Sequence, residues 1–172
     1  MTDRRIALLS EDAQDLQLLE QGAEILIRFS VPYDLQHISA HLTPQRLHDY
    51  AVKAQKDGIA VIIAAARGAA HLSGAIASLT TLPVIGVPLE SSLSGMDSLL
   101  ATVQMPAGIP VATMAIGLAG IKNACFFAVQ ILALNDTALQ MQLIDYRRRL
   151  RDEVVEKGER LREHGYQLYP ER

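Results

Sequence analysis

The chain has 172 residues, of which 49% are hydrophobic, 20% are charged and only 5% are aromatic. This is the length of one domain, and an apolar content made mostly of Ala, Leu, Ile and Val is typical of tightly packed α/β layers. The formal net charge of −3 argues against a general nucleic-acid-binding protein.

The single cysteine, Cys125, excludes an internal disulfide and fits a reducing compartment. The opening residues, MTDRRIALL, lack the apolar run of a secretory signal. The most apolar helical segment, ACFFAVQILAL, has about half of the length that a membrane crossing needs. We therefore expect a cytoplasmic protein with neither a membrane nor a nucleic acid as partner.

Short β-like runs alternate with longer helical patterns along the chain. In chain order the runs are RIALL, YDLQHI, AVIIAAA, PVIGVP and PVATMAI. Continuous apolar runs are expected for strands whose two faces are both covered by helices. Strands that alternate with helices predict parallel pairing and right-handed crossovers, and hence an open, doubly wound, five-stranded sheet.

Two helical segments carry clear signals. Residues 15–29 place five apolar side chains on one face: Leu16, Leu19, Ala23, Leu26 and Ile27. The next helix has Thr43 as its N-cap, Pro44 at its first position and Gly58 as its stop.

Beyond residue 135 the chain becomes polar, and the arginines of residues 147–151 stand among acidic residues. This pattern indicates one or two exposed helices followed by a loose tail. We therefore divide the chain into an α/β domain, residues 1–150, and a polar C-terminal helix or tail, residues 151–172.

Ligands of doubly wound sheets bind beyond the carboxyl ends of the strands. That rule selects three loops, SEDAQD (10–15), SAHLTP (39–44) and ARGAAHLSG (66–74). In the second loop, His41 follows a strand and precedes a helix N-terminus, which favours anions, while the small residues Ser39 and Ala40 leave room for a ligand. A lone histidine is often structural, but an imidazole in this position can transfer protons near neutral pH.

The third loop is rich in small residues. The backbone N–H groups of Gly68 and Ala69 can approach a planar or anionic ligand, and His71 can orient that ligand or cap the turn. The alternative is a tight packing turn between strand and helix. No third ligand of plausible spacing joins His41 and His71, so we predict no metal site.

The first loop brings three carboxylates, Glu11, Asp12 and Asp15, to the exit of the first strand. Asp12 followed by Asp15 is also the pattern of a helix cap, and both interpretations stay open. Because the loop has no glycine and repels anions, a phosphate or dinucleotide cradle is not expected here.

These three loops, in this order, resemble the PurE family over roughly residues 5 to 150. The resemblance is strongest in SAHLTP, GAAHLSG, PVIGVP and the long stretch SGMDSLLATVQMPAGIPVATMAIGLAGIKNA, residues 94–124. It implies a flavodoxin-like three-layer αβα sandwich with a parallel five-stranded sheet, assembled as a homo-octamer with active sites between subunits.

The resemblance also implies an activity of the isomerase or lyase class in purine biosynthesis, acting on carboxylated aminoimidazole ribonucleotides without a metal or cofactor. His41 matches the histidine that the family uses as general acid and base. Residues 66–74 match the loop that holds the ring and the migrating carbon dioxide. The substrate-contacting positions of that loop are Arg67, Gly68, Ala69, His71 and Leu72.

The chain departs from the family's pattern at its phosphate-binding positions. Where the family reads Gly-Ser-x-Ser-Asp, residues 11–15 read EDAQD, so only Asp15, which matches a ribose contact, is retained. Leu42 replaces the arginine that binds phosphate, and Arg67 replaces a loop glycine. Loss of such a charge-assisted contact costs about 1.5–3 kcal/mol.

These departures leave three hypotheses. The first is a divergent enzyme that transfers, adds or removes a carboxyl group on a related small heterocycle, with His41 as its acid and base. The alternative is a genuine mutase of purine synthesis that uses Arg67 for the phosphate. The last is a non-catalytic octameric binding or scaffold protein.

Overall fold

The computed structural model describes residues 4–165, which form five strands and six α-helices in regular alternation up to the last two helices. The strands are β1 (Arg5–Ser10), β2 (Tyr33–His37), β3 (Ile59–Ala66), β4 (Val84–Pro88) and β5 (Ala112–Thr113). The helices are α1 (Leu16–Arg28), α2 (Pro44–Ala54), α3 (His71–Ala77), α4 (Met96–Val103), α5 (Gly117–Ala133) and α6 (Thr137–His164).

All neighbouring strands pair in parallel, in the order β2-β1-β3-β4-β5. In the centre of the sheet, Leu8 of β1 lies opposite Leu35 of β2 on one side and Ile63 of β3 on the other. This is the strand order of flavodoxin-like folds. The predicted parallel five-stranded sheet and its flavodoxin-like class are confirmed.

Different helices cover the two faces of the sheet, because successive side chains of a strand point in opposite directions. Leu9 of β1 packs in one apolar cluster with Leu47 of α2. Leu8 points to the opposite face, which α1 and α5 cover, and is fully buried as well. These two helices lie so close that a Cβ on Gly22 would clash with Cγ2 of Ile121.

Some local predictions need correction. Ile27 is 61% exposed and does not belong to the buried face of α1. The hydroxyl of Thr43 bonds the backbone of Ser39 rather than the helix amides, although Thr43 does occupy the N-cap position. The helix ends at Ala54, and Gly58, with φ of +84°, instead completes the turn before β3. The last predicted strand is reduced to the two residues of β5.

The chain divides into two compact units, residues 1–132 and 133–172. Within the second unit, α6 is a single helix of 28 residues whose N-cap, Asp136, accepts a hydrogen bond from the N–H of Leu139. Its residues 147–163 are exposed, as expected for the arginine cluster. The boundary predicted at residue 150 falls inside this helix, and the predicted tail, residues 166–172, lies outside the described residues. No helix in residues 4–165 has the length and apolarity needed to span a membrane.

Candidate active site

The three loops selected from the sequence are neighbours, because β2, β1 and β3 are adjacent and parallel. The three loops therefore meet beyond the carboxyl ends of these strands. The strand order changes direction between β1 and β3, because β2 lies on the outer side of β1 whereas β4 and β5 follow on the outer side of β3. Ligands of doubly wound folds bind at this switch point.

The loop that carries His41 is held by its own side chains. The hydroxyl oxygen of Ser39 accepts hydrogen bonds from the backbone N–H groups of His41, at 3.3 Å, and Leu42, at 3.1 Å. The hydroxyl of Thr43 donates to the carbonyl oxygen of Ser39, at 2.9 Å, and accepts from its N–H, at 3.1 Å. The backbone of His41 is thereby fixed without help from the side chain of residue 42.

Glu11 connects the first loop to the second. Its Oε1 accepts a hydrogen bond of 2.7 Å from the N–H of Ala40 and lies 3.7 Å from Nδ1 of His41. The second distance is too long for a hydrogen bond but short enough for an ion pair. Since the Glu11 side chain is only 18% exposed, its charge acts on the imidazole with reduced screening by solvent.

His41 and His71 form a direct contact between the second and third loops. Nε2 of His41 lies 2.9 Å from Nδ1 of His71, and the two rings pack edge to face with centroids 4.8 Å apart. One of these nitrogens must carry the shared proton when both rings are neutral. The His41 side chain is 56% exposed, so the contact is open to a ligand.

The remaining acids of the first loop have separate partners. Asp12 caps the short 3-10 turn Ala13–Asp15 through a hydrogen bond from the N–H of Gln14 to its Oδ1, at 2.9 Å, so the capping interpretation holds for this residue. Asp15 makes no such cap and is buried. Its carboxylate receives both edge N–H groups of Arg67, from Nε to Oδ2 at 3.2 Å and from Nη2 to Oδ1.

Hydrogen bonding to Asp15 raises the pKa of Arg67 above its ordinary value, and the nearby charges of Asp15 and Asp12 act in the same direction, against the opposing effect of burial. The guanidinium therefore stays charged throughout the working pH range. Because its Nε and Nη2 edge is taken by Asp15, only the remaining N–H groups can meet a further acceptor.

The third loop is held in an unusual backbone conformation. Gly68 has φ of +63°, and its N–H donates to the buried hydroxyl of Ser98, at 2.8 Å. Ala70 also has a positive φ, +46°, directly before His71, and such an alanine is strained by about 1 kcal/mol. Ser98 stands in the stretch that carries the family resemblance, but nothing in the sequence singled it out.

The other predicted contacts differ in accessibility. The side chain of Leu42 is 86% exposed, and Ala69 is exposed as well. Leu72 is fully buried and packs in the apolar core, in the same cluster as Ala66 and Ala70 of the third loop.

A cavity of about 410 Å³ lies beside His71, between the start of α3 and the end of α4, and is also lined by Gln104 and Met105. A larger cavity, of about 910 Å³, lies at the opposite edge around Pro83 and Val84, and none of the predicted loop residues lines it. Among residues 4–165, no three His, Cys, Asp or Glu side chains are grouped so as to hold a metal ion.

The family model described as AIR carboxylase matches residues 5–153. An N5-carboxyaminoimidazole ribonucleotide mutase of Pyrococcus horikoshii is 49% identical over 95% of this chain and 92% of its own length. The corresponding mutase of Escherichia coli K12 is 48% identical over 88% of this chain and 90% of its own length. A phosphoribosylaminoimidazole carboxylase of Candida albicans is 45% identical over 95% of this chain, which corresponds to 29% of that longer protein.

Among solved structures, the crystal structure of Treponema denticola PurE superposes with a TM-score of 0.84. The match covers 92% of this chain and 98% of that one, at 24% sequence identity. At this identity the superposition supports the fold, while the closer relatives bear on chemistry.

Proposed function

The chain belongs to the AIR carboxylase family, also called PurE, and from that premise we propose that it is an N5-carboxyaminoimidazole ribonucleotide mutase. The observation that carries the proposal is the identity of 46–49% with enzymes of that name over 88% or more of the chain. The resemblance seen in the sequence is thus confirmed. The relatives favour the mutase hypothesis over the altered-substrate hypothesis. The altered substrate is the first hypothesis from the sequence alone because the family's phosphate contacts are replaced in this chain.

In the proposed reaction the bond between the carboxyl carbon and the exocyclic nitrogen breaks, and the nitrogen gains a proton as carbon dioxide leaves. Ring carbon C4 then bonds to the carbon dioxide and loses its proton. His41 supplies the first proton as an acid and takes the second as a base, so the enzyme returns to its starting state. The contact with His71, at 2.9 Å, provides a second nitrogen that can hold or release that proton.

The ribonucleotide phosphate needs a cation, and Arg67 is the single Lys or Arg of the three loops. Its side chain is 42% exposed, and the N–H groups that Asp15 does not use remain available to a phosphate oxygen. The retained Asp15 thus holds Arg67 rather than a ribose hydroxyl in this proposal.

A second candidate, the altered-substrate enzyme, rests on a specific observation. Leu42 stands exposed where the resemblance gives a phosphate-binding arginine, and Glu11 and Asp12 add negative charge nearby. Such a site favours a heterocycle without a phosphate, because like charges repel a dianion.

We also propose that the chain assembles as a homo-octamer in the cytoplasm. Support comes from the family resemblance and from large exposed apolar side chains, among them Leu93, Leu100 and Phe127, which subunit contacts would cover. Light scattering should then give a mass roughly eight times the 18.8 kDa of one chain.

The test of the proposed function mixes purified protein with N5-carboxyaminoimidazole ribonucleotide and follows formation of the C4-carboxylated product. We expect turnover that falls by about 10²–10⁴-fold in His41→Asn, because the proton transfer loses its group. His48→Asn is the matched control, since His48 is an exposed residue of α2 whose ring contacts the neighbouring Asp49.

The outcomes separate the hypotheses. Turnover that survives in His41→Asn contradicts the assignment of His41. If the wild-type protein is folded but does not turn over this substrate, the mutase hypothesis is wrong, and the assay is repeated with aminoimidazoles that lack the phosphate. If neither substrate type is turned over, the remaining hypothesis is the non-catalytic binding protein.

A further inference from the structure

Glu11 is the residue of the site that neither the resemblance nor the proposed reaction explains. It stands where the family pattern has a glycine, so its carboxylate is a feature of this chain. The side chain is mostly buried, and Oε1 is fixed by the N–H of Ala40, the residue directly before His41. The same oxygen faces Nδ1 of His41 at 3.7 Å.

We propose that Glu11 is a positioning residue that acts through His41: its carboxylate keeps the proton of the neutral imidazole on Nδ1 and stabilises the imidazolium that forms when Nε2 takes a proton. The first half of this proposal stands on the geometry alone, and the second half rests on the proposed function.

The position of the proton follows from the two neighbours of the ring. A carboxylate only accepts, so a proton on Nδ1 is attracted to Glu11, whereas a lone pair on Nδ1 would face negative charge. With the proton on Nδ1, Nε2 of His41 becomes the acceptor and Nδ1 of His71 the donor of their 2.9 Å contact. A ligand that enters the site then has to displace His71 to reach the basic nitrogen.

The effect of Glu11 on the charged form follows from which groups face the ring. Glu11 faces it from the β1–α1 loop and His71 faces it from the start of α3. The other charged groups of these loops have partners of their own, since Asp15 pairs with Arg67 and Asp12 caps its turn. Glu11 is therefore the carboxylate placed to offset the positive charge of a protonated His41.

The first experiment needs no substrate. Nitrogen NMR spectra of the isotope-labelled protein, recorded at about pH 8 where imidazoles are neutral, distinguish the two tautomers of His41. We expect the Nδ1–H tautomer in the wild type and a loss of that preference in Glu11→Gly, which restores the residue of the family pattern. A wild-type His41 that carries its proton on Nε2 overturns the proposal, and so does a preference that survives in Glu11→Gly.

The second experiment measures kcat and KM with N5-carboxyaminoimidazole ribonucleotide. Glu11→Gln keeps an acceptor for the N–H of Ala40 but removes the charge. We expect KM to change little and kcat to fall about tenfold, because the imidazolium of His41 loses the carboxylate beside it. Glu20→Gln, which removes an exposed carboxylate of α1, is the charge-matched control and should leave both constants unchanged.

A rise in KM with kcat unchanged overturns the electrostatic role, because it means that Glu11 acts on binding rather than on proton transfer. If the wild type does not turn over this substrate at all, the proposed function fails, while the tautomer measurement still decides the role of Glu11.

Discussion

Two polar contacts at the same edge of the sheet differ in kind. The contact between His41 and His71 joins two exposed rings through one proton whose position is adjustable. The contact between Asp15 and Arg67 joins a buried carboxylate to a guanidinium through two parallel hydrogen bonds. The first can give or take a proton, whereas the second fixes a positive charge and the loop that carries it.

The difference follows from which residues the chain shares with its family pattern. The histidines match the family pattern, and the proposed function assigns the proton transfer to them. Arg67 replaces a glycine, and it engages the retained Asp15 instead of leaving that carboxylate to a ligand. The two contacts therefore differ in role: the proposed function places proton transfer at the first, while the second holds a positive charge next to a buried carboxylate.

Removing Arg67 breaks its contact with Asp15 and should have the greatest consequence for stability. Arg67→Leu leaves the carboxylate of Asp15 buried without its partner, and we expect the free energy of unfolding to fall by about 2–3 kcal/mol, between the values for surface and fully buried pairs. Urea denaturation measures this. Arg46→Leu is the control, since Arg46 is exposed and donates a hydrogen bond to Gln36, and it should change stability by less than about 0.5 kcal/mol.

Combining Arg67→Leu with Asp15→Asn tests whether the loss comes from the unpaired carboxylate. The double variant should recover part of the stability, because no buried charge is then left alone. If the stability losses of the two single variants add up in the double variant, the effect of Arg67 does not come from its pairing with Asp15.

A second variant returns a cation to the position directly after His41. Leu42→Arg restores the residue of the family pattern at an exposed position whose backbone is already held. We expect KM for the phosphate-bearing substrate to fall about tenfold, or about 1.4 kcal/mol. Steady-state kinetics measure this. Val52→Arg is the control: it adds an arginine at an exposed position of α2, and an equal fall in KM there would mean that net charge alone is responsible. An unchanged KM means that residue 42 does not reach the phosphate.

The smallest effect concerns how the third loop is supported. Ser98→Ala removes the acceptor of the Gly68 N–H, and we expect a loss of about 1 kcal/mol in the free energy of unfolding. Thermal and urea unfolding measure it, with Ser92→Ala, an exposed serine of the neighbouring loop, as control. A loss no larger than that of the control would show that water replaces the hydroxyl.

The architecture was predictable because apolar runs and periodicity are local signals. The runs that became β1, β3 and β4 are short, apolar and separated by helices, which determines parallel pairing and the edge at which the loops meet. The prediction for PVATMAI was less accurate, because the strand is shorter than predicted: β5 consists of Ala112 and Thr113, which pair with β4 at the edge of the sheet. Ile27 was misplaced because helical periodicity cannot tell a core position from the margin of the apolar face.

The site was predictable in position but less so in its contacts. His41 and His71 were singled out from their loops, yet their mutual contact depends on side-chain directions that the sequence does not encode locally. Asp15 and Arg67 are 52 positions apart, and two charges of opposite sign in neighbouring loops can equally well meet solvent or ligand. The bond from Ala40 to Glu11 required the backbone path of both loops.

The bracing of the second loop by Ser39 and Thr43 has a consequence for how such enzymes change. Since the hydroxyl of Ser39 holds the N–H groups of His41 and Leu42, the backbone keeps its shape whichever side chain residue 42 bears. An arginine can give way to a leucine there without disturbing the adjacent imidazole. Under the proposed function, a substitution at residue 42 can therefore change which ligand binds while the proton transfer at His41 is unaffected.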